Sequence, residues 1–375
     1  MVRWLLLLMA SIASFSVAAG EHRVRDLGIE IGVLAPGPLN AITDVAGVRV
    51  GQVSVHVGRR IHTGVTAIVP AAGNLRSSPV PAAVHVANGY GKLAGLSQIE
   101  ELGEIETPIV LTNTLNVAEA VAGVVEWTLA QPGNGAVRSV NAVVGETNDG
   151  FLNDIRRRYL KAGDVRRAIS MAHAGAVAEG VVGAGSGTVA FGWKGGIGTS
   201  SRLLPRALGG YRVGALVQTN MGGILVVDGV RVGEALGQYY LKDRFAADDR
   251  SGDGSIMIVL ATDAPLSDRN LGRLARRAIA GLARTGASMT NGSGDYVIAF
   301  STSDKVRRTA GNGPRAIVDL PNGEMSPLFQ AAAEATEEAI LNSLFMAHDL
   351  EGYRGSVRAL PVAEVMRLWH AAKGG

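Results

Sequence analysis

At 375 residues the chain suits one large layered α/β domain, and 47% apolar against 18% charged residues allow a large interior with much of the surface covered, for instance by other subunits. The formal net charge of +3 comes from scattered basic residues, so composition makes no electrostatic case for nucleic acid. The absence of cysteine excludes disulfides and thiol chemistry, and the seven histidines show no HExxH or paired metal spacing, which argues against a zinc hydrolase.

The first segment, "MVRWLLLLMASIASFSVAAGEHR", has a basic start at Arg3, an apolar core from Trp4 to Val17 and small residues at Val17-Ala18-Ala19. That core is shorter than the ~20 residues needed to span a bilayer. Residues 1–19 therefore read as a cleaved signal peptide and the mature protein as exported, soluble, and periplasmic or secreted. An uncleaved N-terminal anchor is the alternative. No later run of spanning length lacks charges, so no membrane partner is expected.

Strand-like and helix-like runs then alternate, which predicts an α/β layered domain. Strands are expected at "GVRVGQVSV" (47–55), "PIVLTNT" (108–114), "VNAVVGE" (140–146), "YRVGALVQTN" (211–220), "SIMIVLATD" (255–263) and "YVIAFST" (296–302). Short basic groups such as "IRRRY" and "LARRA" sit in helical patterns and read as solvated faces. The glycine-rich "GAGSGTVAFGWKGGIGTSSR" (183–202) matches no nucleotide-binding fingerprint. It reads either as a tight turn between packed elements or as backbone N–H groups lining a pocket. The stretch 241–254, "LKDRFAADDRSGDG", is charged, contains two glycines and reads as a mobile connection. Beyond Ser255, a helix is expected after Ser267 and Asp268, with Leu271, Leu274, Ala275, Ala278, Ile279 and Leu282 on one face and Gly286 as its stop. Another starts at Ser326-Pro327, with Glu334, Glu337 and Glu338 as its solvated face.

Ser255 stands where the polar connection meets a continuous apolar run from Ile256 to Ala261, a pattern expected of a strand buried on both faces. Its simplest reading is an ordinary residue at the start of a strand. No serine lies in G-x-S-x-G, and no histidine base is evident, so serine chemistry here needs another proton acceptor. An N-terminal nucleophile supplies one, because its own α-amine titrates near ~7.7–8.0. Ser255 fits that demand: its hydroxyl, attacking the carbonyl of the unhindered Gly254, gives an ester whose hydrolysis frees a new N-terminal serine.

The blocks "NAITDVAGVRVGQV" (40–53), "RIHTGVTAIVP" (60–70), "ANGYGKLAGLSQIEELGEIETPIVLTNTLNV" (87–117) and "GETNDGFLNDI" (145–155) occur in that order. "GWKGGIGTSSR" (192–202), "GDGSIMIVLATDAPL" (252–266) and "ATEEAILNSL" (335–344) follow. Together they resemble the self-processing L-aminopeptidase/D-esterase family, which includes the β-aminopeptidases. The resemblance implies an αββα sandwich like that of N-terminal-nucleophile hydrolases, with different strand connectivity. It implies cleavage between Gly254 and Ser255 into an α chain (20–254) and a β chain (255–375) that form one composite domain, and assembly of these heterodimers into a homo-oligomer. It suggests Asn220 as oxyanion donor, although a capped strand end explains that residue equally well. It suggests Ser293 and Asp295 in "NGSGDY" as partners tuning the nucleophile, against a plain Gly-Asp turn. Glu146 and Asn148 become pocket candidates, one for a substrate ammonium group and one facing the oxyanion, with the assignment open.

The expected function is an exported, self-cleaving serine aminopeptidase, amidase or esterase that releases N-terminal residues, of L-α, D-Ala or β type, from short peptides, amides or esters. It proceeds through an aminoacyl-enzyme on Ser255 and needs no metal or cofactor. Two alternatives stand: an amine acyltransferase of a related fold, normally with a threonine nucleophile, and an exported binding protein that never processes.

Overall fold

A computed structural model describes residues 21–242, 254–308 and 313–374. The expected signal peptide lies outside these residues, as does the charged connection apart from residues 241, 242 and 254.

The strands that build the sheets and the site are β1 (Arg49–Val57), β2 (Ile61–Val69), β3 (Val80–Gly89), β4 (Leu93–Ala94), β5 (Glu104–Ile105), β6 (Ile109–Asn113) and β7 (Val143–Thr147). They continue with β8 (Val189–Ala190), β9 (Trp193–Lys194), β10 (Ile197–Leu203), β11 (Arg212–Asn220), β12 (Ser255–Thr262) and β13 (Gly294–Ser301). One sheet has the order β1-β2-β6-β7-β4 and the other β10-β11-β12-β13-β3-β5, while β8 and β9 pair as a separate hairpin. The helices are α1 (Leu96–Leu102), α2 (Val117–Leu129), α3 (Ala162–Ser170), α4 (Val232–Ala235), α5 (Asp268–Arg284), α6 (Ser326–Phe345) and α7 (Val362–Lys373).

Three apolar layers hold these elements together. Val53, Val65, Val110 and Val144 pack beneath Ala120 and Val124 of α2 and Val165 and Ile169 of α3. Ile68, Leu111 and Val143 of the first sheet meet Leu216, Met257, Val259, Ile298 and Phe300 of the second. On its far face, Ile256, Ile258, Leu260 and Val297 meet Leu271, Leu274, Ala278 and Leu282 of α5 and Ala335, Ala339 and Ile340 of α6. The result is the expected αββα sandwich. The β12 run is buried on both faces because its odd and even residues serve two different layers, and burial of each large apolar side chain contributes about 1.5–3 kcal/mol. The strands β12 and β13 are parallel; parallel neighbours need a crossover, and α5 supplies it.

Two expectations fail. The α6 glutamates are not solvated: Glu334 and Glu338 are fully buried, and Glu337 nearly so. Their countercharges arrive from distant segments. The buried Arg202 reaches Glu334 at 3.0 Å and Glu338 at 2.8 Å, and Arg25 reaches Glu338 at 2.9 Å. Glu334 also accepts from the Val33 and Leu34 N–H groups at 3.0 and 3.1 Å. Buried charge survives only when paired in this way. The "IRRRY" group is a single 3-10 turn, Ile155–Arg157, closed by Arg158 at φ 45°. The helix expected after Ser267 is α5, and Gly286 follows it at φ 84°. The Ser267 hydroxyl donates to Asp319 at 2.7 Å instead of capping the helix.

Candidate active site

The three strands β11, β12 and β13 bring the site together at one end of the second sheet. Their register pairs Asn220 with Ser255 and Ser255 with Gly294. Side chains alternate along a strand, so Ser255 shares the inter-sheet face with Met257, while Ile256 faces α5 and α6.

The Gly294 N–H lies 3.2 Å from the Ser255 Oγ and also 3.2 Å from the Gly254 carbonyl oxygen. One donor thus touches both the candidate nucleophile and the carbonyl it would attack. Glycine is demanded at both positions by close approach. A Cβ on Gly254 would stand 1.8 Å from the Asn220 carbonyl oxygen, and one on Gly294 would stand 2.7 Å from Gly91.

Asn220, at the end of β11, is 8% exposed. Its Oδ1 accepts from the Val189 N–H of β8 at 3.0 Å, which fixes the amide so that the nitrogen is the free end. Among the described residues the Asn220 Nδ2 has no acceptor, and the residue lines the cavity that contains Ser255. A fixed, unspent N–H donor beside a nucleophile is what stabilises an oxyanion.

Ser293 and Asp295 flank Gly294, and the Ser293 hydroxyl donates to the Asp295 Oδ1 at 2.7 Å. Both are almost fully buried. Burial pushes the Asp295 carboxyl up to about 6, against the pull of the Ser293 hydroxyl. By strand alternation Asp295 shares the helix-facing side with Val297, opposite the Ser255 Oγ. The pair therefore braces the turn that aims the Gly294 N–H, and neither side chain hydrogen-bonds the Ser255 hydroxyl.

Glu146, at the end of β7, is 2% exposed. Its Oε1 accepts from the Lys92 N–H at 3.0 Å, the Lys92 ammonium lies 3.8 Å away, and the Thr114 hydroxyl donates to Oε2. Gly91 separates this carboxylate from Gly294, and a Cβ there would come within 3.3 Å of Glu146 Oε1. Asn148 is exposed, and its Oδ1 accepts from the Gly150 N–H at 2.9 Å within its own loop. It lines the same cavity, and Asn220 is the amide paired with Ser255 across the sheet.

The cavity measures ≈ 1060 Å³, and Ser255, Asn220, Glu146, Trp193, Met221 and Arg358 are among its lining residues. No histidine lines it. Among the described residues no three His, Asp or Glu side chains converge as a metal site. Sequence reasoning missed the Gly294 N–H, the Val189 N–H and the partners of Glu146, all of which depend on pairing between remote segments.

The arrangement holds a serine hydroxyl, a polarised carbonyl, an oriented amide donor and a buried carboxylate around one cavity, the components of acyl transfer through serine. Comparison with known proteins agrees. The model of peptidase family S58 matches residues 40–358. The chain is 41% identical over 378 residues to the beta-peptidyl aminopeptidase BapA of Sphingosinicella microcystinivorans, covering 96% of this chain and 93% of that one. It superposes on a Burkholderia sp. beta-aminopeptidase with TM-score 0.86 and 41% identity, covering 94% and 99% of the two chains. It also superposes on the L-aminopeptidase D-Ala-esterase/amidase of Ochrobactrum anthropi with TM-score 0.83 and 36% identity, covering 93% and 98%. That protein is described as a prototype for the serine aminopeptidases with a variant of the Ntn hydrolase fold.

Proposed function

The chain belongs to peptidase family S58, and on that footing we propose that it is a self-cleaving serine aminopeptidase whose nucleophile is Ser255. The observation that carries this reading is the Gly294 N–H shared between the Ser255 Oγ and the Gly254 carbonyl oxygen at 3.2 Å each.

Processing begins with Ser255 Oγ attacking the Gly254 carbonyl carbon. The developing oxyanion is met by the Gly294 N–H, the C–N bond breaks as the hydroxyl proton passes to the departing Ser255 nitrogen, and an ester joins Gly254 to Ser255. Water hydrolyses the ester, leaving the α chain to end at Gly254 and the β chain to begin at Ser255 with a free α-amine. That amine then serves as the base in place of a histidine. In turnover the hydroxyl attacks a substrate carbonyl, the Asn220 Nδ2 donates to the oxyanion, the amine leaves, and water releases the acyl group. Glu146 takes the substrate's ammonium group, which confines cleavage to the N-terminal residue. The Lys92 ammonium tempers that charge without filling the site, at 3.8 Å and on an exposed stem.

Two of the three relatives carry beta-peptide names at 41% identity, so a β-alanyl amide is the first substrate to test, alongside L-Ala and D-Ala amides. We further propose removal of residues 1–19 on export to the periplasm or medium, and assembly of the α/β pairs into a homo-oligomer. Purified protein should give two bands on a denaturing gel, the smaller beginning Ser-Ile-Met-Ile. Ser255→Ala should give one folded, inactive chain. An active enzyme whose chain stays whole would overturn the reading.

A further inference from the structure

Lys194, at the end of β9, is fully buried, yet among the described residues it forms an ion pair with no carboxylate. Its Nζ donates instead to three backbone carbonyls: Gly185 at 2.9 Å, Thr188 at 2.9 Å and Gly195 at 2.7 Å. Three acceptors match the three N–H bonds of an ammonium. Burial pushes the group down to about 7 while the charge of Asp149 pulls it up.

The Thr188 carbonyl is the decisive contact. It belongs to the same peptide unit as the Val189 N–H, the group that donates to Asn220 Oδ1 at 3.0 Å. The Gly195 N–H also donates to the Thr188 carbonyl, at 3.1 Å, so that plane is held from two directions. A continuous chain results, from the ammonium through one peptide to the Asn220 amide and then to its free Nδ2 in the cavity. Hydrogen bonds in series polarise one another, and a cation at one end strengthens the donor at the other.

We propose that Lys194 is a positioning residue for the oxyanion site: through the Thr188–Val189 peptide it fixes the Asn220 amide and makes its Nδ2 a stronger donor. The inference rests on the reading of Asn220 as the oxyanion donor. A lysine confined to packing would need no such alignment, and its loss would act on stability alone.

The test is a double-mutant cycle on processed, folded enzyme with β-alanyl-p-nitroanilide as substrate, with turnover counted per cleaved chain. Lys194→Met should lower kcat about 10-fold or more, with KM within about threefold, because an oxyanion donor loses its hold on the transition state. Combined with Asn220→Ala, the same change should cost less than about threefold further, the non-additivity expected of two residues acting as one unit. Equal losses in both backgrounds, or a folded Lys194→Met enzyme with unchanged kcat, would overturn the inference. If Lys194→Met does not fold, Val189→Pro removes the N–H at the other end of the peptide, with the ring also fixing φ at that residue. It should lower kcat similarly and again non-additively with Asn220→Ala, and an unchanged kcat would be fatal. An Asn220→Ala enzyme with full kcat would instead remove Asn220 from the mechanism itself.

Discussion

Replacing Gly254 by alanine separates processing from catalysis. The added Cβ would sit 1.8 Å from the Asn220 carbonyl oxygen, with Met221 Cα at 3.0 Å. Carbon–oxygen contacts of this kind hold at roughly 3 Å or beyond, so the Gly254 carbonyl must move by about 1 Å. Both neighbours are backbone and belong to or adjoin β11, so the displacement falls on the 254–255 peptide and not on a flexible side chain. A misplacement of about 1 Å between reacting groups costs on the order of 10²-fold in rate. Gly254→Ala should therefore lengthen the half-time of self-cleavage by about that factor, followed as the precursor band disappearing with time after purification. Once cleavage has occurred, residue 254 is merely the end of the α chain. Turnover per processed chain should stay within about threefold of the parent. Cleavage at the parental rate would show that steric control at Gly254 is absent. A turnover loss as large as the cleavage loss would show that the clash distorts Asn220 instead.

Asp295→Asn should raise stability in a pH-dependent way. Burial lifts the carboxyl from 3.8 to about 6, so the native state keeps a proton that the unfolded state has lost, and stability falls as pH rises through that window. The gap corresponds to roughly 3 kcal/mol. The Tm gain of the variant should be evident at pH 8 and vanish below pH ~4; a gain independent of pH would refute the burial argument. Glu146→Gln should lower kcat/KM for amino-terminal substrates by about 10- to 100-fold, mostly through KM, because it removes a charge-assisted contact. Full activity of that variant would take the ammonium site elsewhere. The mature protein from the native host should begin near Gly20 in a soluble exported fraction, and a membrane-bound form beginning at Met1 would contradict the signal peptide.

The glutamates of α6 show where local reading fails. Glu334, Glu337 and Glu338 have the polarity and spacing of a wet helix face, and nothing nearby in sequence contradicts that. Glu338's partners Arg25 and Arg202 are 313 and 136 residues away, and Glu337's partner Arg284 is 53 away. Asp295 was found through resemblance, but only the alternation of β13 reveals that it braces the Gly294 turn from the far side of the sheet.

Sequence alone determined the apolar run from Ile256 to Ala261, the periodicity of α5, and the unhindered Gly254-Ser255 junction. Each is a property of adjacent residues, where side-chain polarity, backbone freedom and period act over one turn or one strand. Tertiary structure alone decided that Ser255 lies between Asn220 and Gly294, that one N–H serves both the nucleophile and the carbonyl before it, and that a buried lysine reaches the Asn220 amide through a single peptide. These contacts arise from strand register between segments tens of residues apart, and register is fixed by which faces the whole sandwich can bury together.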